Sequence, residues 1–154
     1  MTDLDGLISG PQKELLRKRS DIIGIGLILH AWGTIFICTW VAALFPNIFT
    51  LLLVGMLIGS RQLGLLILMN DAAHGILFKS PKLNHFFGQW RCGIHMFADL
   101  TTYRPYHLKH HKHVLTQKDP DLVLTGHYPI PRASLKRKLM RDISGKSGIA
   151  QRTY

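Results

Sequence analysis

Residues 22–45 read IIGIGLILHAWGTIFICTWVAALF, and residues 48–69 read IFTLLLVGMLIGSRQLGLLILM. The first run has 24 residues without a charge, and the second has 22 residues with a single charge, at Arg61. A helix of about 20 apolar residues is long enough to cross the hydrocarbon core of a bilayer. The Pro-Asn pair at 46–47 between the runs is a turn signal. The two runs therefore predict a transmembrane helical hairpin.

Basic residues flank this hairpin and are absent from its turn. The chain carries 19 Lys and Arg against 9 Asp and Glu, a net charge of +10. By the positive-inside rule, we expect a multi-pass integral membrane protein with both chain ends in the cytoplasm, in the cytoplasmic membrane if the protein is bacterial. Residues 1–21 are then a cytoplasmic basic tail, and they show no signal-peptide pattern. The flanking bases are Lys13, Arg17, Lys18 and Arg19 before the hairpin, and Lys79, Lys82 and Arg91 after it.

Three further segments complete an all-α membrane protein, in which the hairpin is followed by cytoplasmic or interfacial helices that carry histidines. Residues 83–97 have an aromatic and aliphatic stripe at helical spacing, which fits an interfacial helix or a soluble core helix. Residues 129–142 form a basic helix that either lies against anionic headgroups or is simply solvated. Residues 144–154 are predicted to be a loop.

A histidine cluster, YRPYHLKHHKH at 103–113, is the strongest local signal for chemistry. A proline is tolerated in the first turn of a helix, so Pro105 is compatible with a helix that begins nearby. The three histidines of HLKHH then lie on one helical face, and imidazole binds iron, zinc, copper and nickel. A solvated helix or a nucleic-acid patch is disfavoured, because neutral histidine supplies little positive charge. The one-face histidines are His107, His110 and His111, and His113 is placed to join them from the side.

A second polar segment, MNDAAHGILF at 69–78, closes the second apolar run. Asn70 and His74 are four residues apart and so share a helical face. The segment is either half of a metal site or a polar helix end that carries a histidine. We predict that His74 and the HLKHH histidines lie on the same side of the membrane and converge at its surface. Asp119 and Asp121, in KDPDL, are interpreted as turn and cap residues in preference to residues that assist the histidine site.

NDAAHGILF at 70–78 and HLKHH at 107–111 resemble the first two histidine boxes of the membrane fatty acid desaturase and hydroxylase family. The order of span, box, aromatic segment and box is also similar to that family over about residues 20–130. The resemblance implies two iron ions as cofactors. It implies four histidine ligands, which are His74, His107, His110 and His111. Asn70 and His113 are weaker candidates.

The resemblance also implies an activity and partners. Such enzymes activate O2 and remove hydrogen from an unactivated C–H bond of a lipid acyl chain, and desaturation is the reaction that we expect here. Hydroxylation and carotenoid ketolation use the same kind of histidine site, and they remain alternative reactions. The implied partners are a lipid or fatty acyl substrate, the membrane, and an electron donor of the ferredoxin, rubredoxin or cytochrome b5 type. We expect no nucleic-acid partner.

Two departures from the family pattern leave an alternative to an oxidoreductase open. Asn70 stands where the first box usually begins with histidine, and the sequence contains no third box of the H/Q-x2-3-H-H type. We therefore expect residues 22–154 to be the N-terminal part of a desaturase-like domain. The alternative is a non-catalytic membrane remnant of such an enzyme.

Overall fold

The structure is a computed structural model that describes residues 10–11, 18–122, 126 and 129–150. In this part of the chain every regular element is helical, as the sequence predicts. The chain divides into two compact units, Met1–Arg104 and Pro105–Tyr154, which are treated separately below. Most of the predicted basic tail lies outside the described residues.

The predicted hairpin is present as helices α1 (Asp21–Leu44) and α2 (Ile48–Ala73). Ser20 caps α1, where its hydroxyl accepts a hydrogen bond from the Ile23 amide at 3.4 Å. Asn47 caps α2 more closely, because its side-chain oxygen accepts from the amides of the second and third helical residues at 3.1 Å. Both caps satisfy amides that have no partner inside the helix. The turn signal at 46–47 therefore ends one helix and starts the next.

Both helices of the hairpin expose most of their apolar surface. Only 22% of the most apolar stretch of α1 and 17% of that of α2 is buried. A core helix of a soluble protein of this length would be mostly buried, whereas a bilayer solvates apolar side chains directly. Length, composition and exposure together describe an all-helical membrane protein with two candidate spanning helices.

The second helix continues four residues beyond the apolar run that predicted it. The apolar run ends at Met69, but α2 ends at Ala73, and His74 is its C-terminal cap residue. The polar residues Asn70 and Asp71 lie on the last helical turn. Gly75 follows with φ of 69°, a left-handed conformation that ends the helix.

The segment after the hairpin is helical but not a single α-helix. It contains α3 (Pro81–Phe87), a π-helical segment (Gly88–Gly93) and a 3-10 turn (Ile94–Met96). The helical stripe predicted for residues 83–97 is therefore interrupted by one wider turn. A Cβ atom on Gly88 would lie 2.6 Å from the Ala72 Cβ, so the π segment passes very close to α2.

A buried asparagine holds the loop that follows α2 in the first unit. Asn84 is fully buried, and its side chain accepts from the Phe78 amide at 3.0 Å and donates to the Phe78 carbonyl at 2.7 Å. This pairing fixes the loop that leads away from α2, because the loop's buried backbone groups find partners there. The largest fully buried side chains are those of Leu65, Phe78, Asn84, Cys92 and Leu100.

Helix α4 (Leu100–His113) begins earlier than the sequence predicted. Pro105 was placed in the first turn, but it lies inside the helix. The helix starts at Leu100 because Asp99 caps it, accepting from the amides of Thr101 at 3.1 Å and Thr102 at 3.2 Å. Those bonds lower the pKa of the Asp99 carboxyl.

Within its described residues, the second unit contains the remainder of α4 and two later helices, α5 (Arg132–Ile143) and α6 (Lys146–Ala150). The basic segment 129–142 was predicted to be helical, and α5 confirms it. The loop predicted for 144–154 is wrong over five residues, because α6 forms after a turn at Gly145, whose φ is 75°. Glycine allows that left-handed turn, so the chain reverses and a short helix follows.

Candidate metal centre

The first candidate box lies at the end of α2, in the first unit. The His74 amide donates to the Asn70 carbonyl at 3.0 Å, so these residues are one helical turn apart, as predicted. His74 is half-buried. It lines a cavity of about 290 Å³ together with Arg19, Arg104 and four other residues of this unit. The box therefore borders an open cavity rather than being enclosed in the core.

Two side chains at the start of α4 hold this end of α2. The Tyr103 hydroxyl donates to the Asn70 side-chain oxygen at 3.3 Å. The Arg104 guanidinium donates to the Ala73 carbonyl at 2.9 Å and to the Ala72 carbonyl at 2.6 Å. The last carbonyls of a helix lack the usual partners of the helix interior. The Ala72 carbonyl accepts from the Gly75 amide at 3.0 Å, and Arg104 adds further donors from outside α2. We call this pair of contacts the Tyr103–Arg104 clamp.

The clamp joins the first box to the start of α4, a contact that the sequence did not predict. Asn70, a candidate weak ligand, is engaged by Tyr103 through the oxygen that would bind a metal. No motif in the sequence marks Arg104 as a partner of α2, because the two are about thirty residues apart.

The second candidate box lies on α4, in the second unit. The Nε2 atoms of His107 and His111 are 3.0 Å apart, and their rings meet nearly at right angles, at 87°. The i, i+4 spacing on one face accounts for this approach. At that distance one ring donates its N–H to the other, and the same two nitrogens become ligands when both are deprotonated.

His110 is held by carboxylates on the following turn. Its Nδ1 lies 2.8 Å from Asp119 and 3.4 Å from Asp121. The hydrogen bond with Asp119 raises the pKa of His110. Burial tends to raise the pKa of Asp119, but bonds from His110 and from the amides of Asp121 and Leu115 lower it overall. A carboxylate on Nδ1 fixes the imidazole tautomer and directs Nε2 outward, an arrangement common for metal-binding histidines.

The acidic turn therefore has two functions, of which the sequence favoured one. Asp119 accepts from the amides of Leu115 and Asp121 at 2.8 Å each, as a turn residue does. It also holds His110, a specific pairing that the sequence did not identify. The Tyr106 hydroxyl donates to Asp121 at 2.5 Å, and that bond raises the pKa of Tyr106 to about 12.

The last candidate ligand, His113, ends α4. Its carbonyl accepts from the amide and the hydroxyl of Thr116, at 2.9 and 2.8 Å. Within the described residues of the second unit, three side chains lie close enough together to hold one metal ion. They are His110, Asp119 and Asp121. The donor chemistry of the second box, imidazole backed by carboxylate, fits iron.

The family model described as fatty acid desaturase matches residues 46–152, most of the chain. The matched range begins at the turn of the hairpin and includes both candidate boxes. No curated protein and no solved structure matches the chain.

Proposed function

Because the chain belongs to the fatty acid desaturase family, we propose that it takes part in the iron- and O2-dependent desaturation of a lipid acyl chain. Family membership supports a role in acyl-lipid metabolism in general. The observation that supports the specific proposal most directly is the second box, with two imidazole nitrogens 3.0 Å apart and a third histidine held by Asp119.

We propose His74, His107, His110 and His111 as iron ligands, with Asn70 and His113 as weaker candidates. Two bound iron ions would supply O2 activation and the removal of hydrogen from an unactivated C–H bond. In this chain, Asp119 holds the His110 ring in one tautomer and keeps its Nε2 as the ligand nitrogen. The exposed apolar faces of α1 and α2 would place the chain in the bilayer, where the acyl tail of the substrate also lies. Electrons would come from a ferredoxin, rubredoxin or cytochrome b5 type donor.

The proposed topology follows from charge. The described bases Lys18 and Arg19 precede α1, and Lys79 and Lys82 follow α2, whereas the turn between the helices has none. We propose that both helices span the bilayer with these bases in the cytoplasm. Reporter fusions at the turn and after α5 test this orientation. An external reporter after α5 would contradict it.

Metal content tests the ligand proposal without relying on activity. The chain is reconstituted with ferrous iron in detergent under anaerobic conditions, and bound iron is measured after desalting. We expect about two iron ions per chain, and a loss of at least about half of them in His107→Ala and His111→Ala. His85→Ala is the matched control, because His85 is an exposed histidine on α3 outside both boxes. Full iron content in the His107 and His111 variants would refute the assignment.

A non-catalytic membrane protein of the same family is the second candidate. The observation that favours it is Asn70, which stands in the first box and whose oxygen is engaged by Tyr103. Incubation of the iron-loaded chain with an acyl lipid, O2 and a reduced donor, followed by mass spectrometry, separates the candidates. An unsaturated product supports the enzyme, and bound iron without any oxidised lipid supports the non-catalytic protein.

A further inference from the structure

Helix α5, in the second unit, carries a row of apolar side chains that the described residues leave uncovered. Leu135, Leu139 and Ile143 are spaced by four residues, and 44%, 50% and 81% of their surfaces are exposed. Residues four apart lie one above the other on a helix, so the three form a single stripe. An exposed apolar stripe of just over two turns is unusual on a helix that is otherwise highly charged.

The charges of α5 are arranged around that stripe. From the helical angle of about 100° per residue, Arg137 and Arg141 lie on the face opposite Leu139. Lys136 and Lys138 lie at its two flanks. Asp142 is the only acidic residue of α5, and it is 4.0 Å from Arg141. Lysine side chains at the flanks of an apolar stripe reach the headgroup level when the stripe lies in acyl chains.

Helix α6 does not cover the stripe. The groove between α5 and α6 is lined by Ala133 and Met140 together with basic residues, Arg137 and Arg141 among them. The groove also includes Lys136, so it runs along one flank of α5, about 60–160° around the helix from Leu139, and does not include the stripe. The short helix therefore packs near the basic face and leaves the apolar stripe open.

We propose that α5 lies in the surface of an anionic bilayer, with Leu135, Leu139 and Ile143 in the acyl region and its lysines at the phosphate groups. Charge complementarity selects the occupant, because five bases against one acid on a single helix attract anionic lipid headgroups. The stripe distinguishes this proposal from a solvated basic helix, which needs no apolar face. A bilayer is also the expected surroundings of this chain, since it carries two candidate spanning helices.

Amide hydrogen exchange of the full chain tests the proposal. The protein is placed in nanodiscs of phosphatidylcholine alone or with phosphatidylglycerol, and deuterium uptake of residues 132–143 is followed by mass spectrometry. We expect exchange about tenfold slower in the anionic discs, because lipid contact opposes local unfolding of the helix. Fast exchange that is equal in both discs would overturn the proposal.

Two double variants and a control identify the contact. Lys136→Glu with Lys138→Glu removes the attraction but keeps good helix formers, and Leu135→Ser with Leu139→Ser removes the stripe. Each is expected to restore fast exchange in the anionic discs, whereas Lys146→Gln, on α6, is expected to leave protection unchanged. Slow exchange in both disc types that resists the lysine substitutions would mean that another protein surface covers the stripe, and this would also overturn the proposal.

Discussion

Arg104 satisfies carbonyl groups at the end of a helix to which it does not belong. Its guanidinium donates to the carbonyls of Ala72 and Ala73 at the last turn of α2. Planar guanidinium groups place several donors in a fixed fork, and a lysine ammonium cannot reproduce that geometry. One side chain thereby joins the first box to the beginning of α4.

Arg104→Ala is expected to lower the free energy of unfolding by about 2 kcal/mol, because it removes two charge-assisted hydrogen bonds to the last carbonyls of α2. Arg104→Lys should recover only part of that loss. The free energy of unfolding is measured by denaturation in detergent. Arg91→Ala is the control, because the Arg91 side chain is exposed. Equal stability of the Arg104→Ala and Arg91→Ala variants would show that the clamp contributes nothing.

The residue scale is also where the sequence predicted least. The histidines of HLKHH were identified from their spacing, because the period of a helix is a local property of the chain. The partner of His110 was not identified, since Asp119 approaches it only after the chain turns beyond α4. Turn residues and buried carboxylate partners have the same sequence signature, so KDPDL could not separate the two functions.

Gly88 shows how a single missing Cβ determines the packing between elements. A Cβ there would lie 2.6 Å from the Ala72 Cβ and 2.9 Å from the Leu100 Cδ2. These contacts connect the π segment with α2 and with the first residue of α4. The wide turn that interrupts the stripe of residues 83–97 lies at this contact, which is a tertiary feature and therefore invisible to helical periodicity.

Gly88→Ala should destabilise the protein by about 1–3 kcal/mol, because the added methyl group overpacks a filled contact. Gly59→Ala is the matched control, since a Cβ at Gly59, also in a helix, meets nothing within 4 Å. Thermal unfolding in detergent should show a lower midpoint for Gly88→Ala alone. Similar midpoints for the two variants would contradict the close approach of the π segment to α2.

The cap of α4 gives a pH dependence whose sign is fixed. Bonds from Thr101 and Thr102 lower the pKa of Asp99 in the folded protein, so its contribution to stability is present above the unfolded pKa of about 3.9 and is lost as pH falls through the folded value. Asp99→Ala should therefore lower the unfolding midpoint at about pH 7. The difference from the unaltered chain should shrink toward about pH 3. An equal difference in unfolding midpoint at both pH values would show that the charge of Asp99 does not contribute to the cap.

At the scale of the whole molecule, the exposed apolar surface of α1 and α2 indicates a membrane environment. The hairpin was predictable from sequence because length and absence of charge set the requirement for crossing a bilayer. The structure adds that only about a fifth of those stretches is buried, which a water-soluble fold does not tolerate.

The chain should therefore remain with membranes after alkaline carbonate or high-salt washing and should dissolve only with detergent. Salt removes proteins that are held by surface charge alone, so it distinguishes the hairpin from the basic helix α5 as the anchor. Quantitative immunoblotting of the pellet and supernatant measures this. Release by carbonate without detergent would contradict a membrane-spanning role for the two candidate helices.

The burial of both cysteines has a consequence for chemical labelling. Cys38 and Cys92 are free and buried, and burial raises the pKa of the Cys92 thiol to about 12. A maleimide reacts with an accessible thiolate, so the folded chain is expected to resist modification at neutral pH. A cysteine introduced at an exposed position of α6, as in Lys146→Cys, would then be the preferred site for a fluorophore or spin label. The fold thus supplies its own unreactive background for distance measurements.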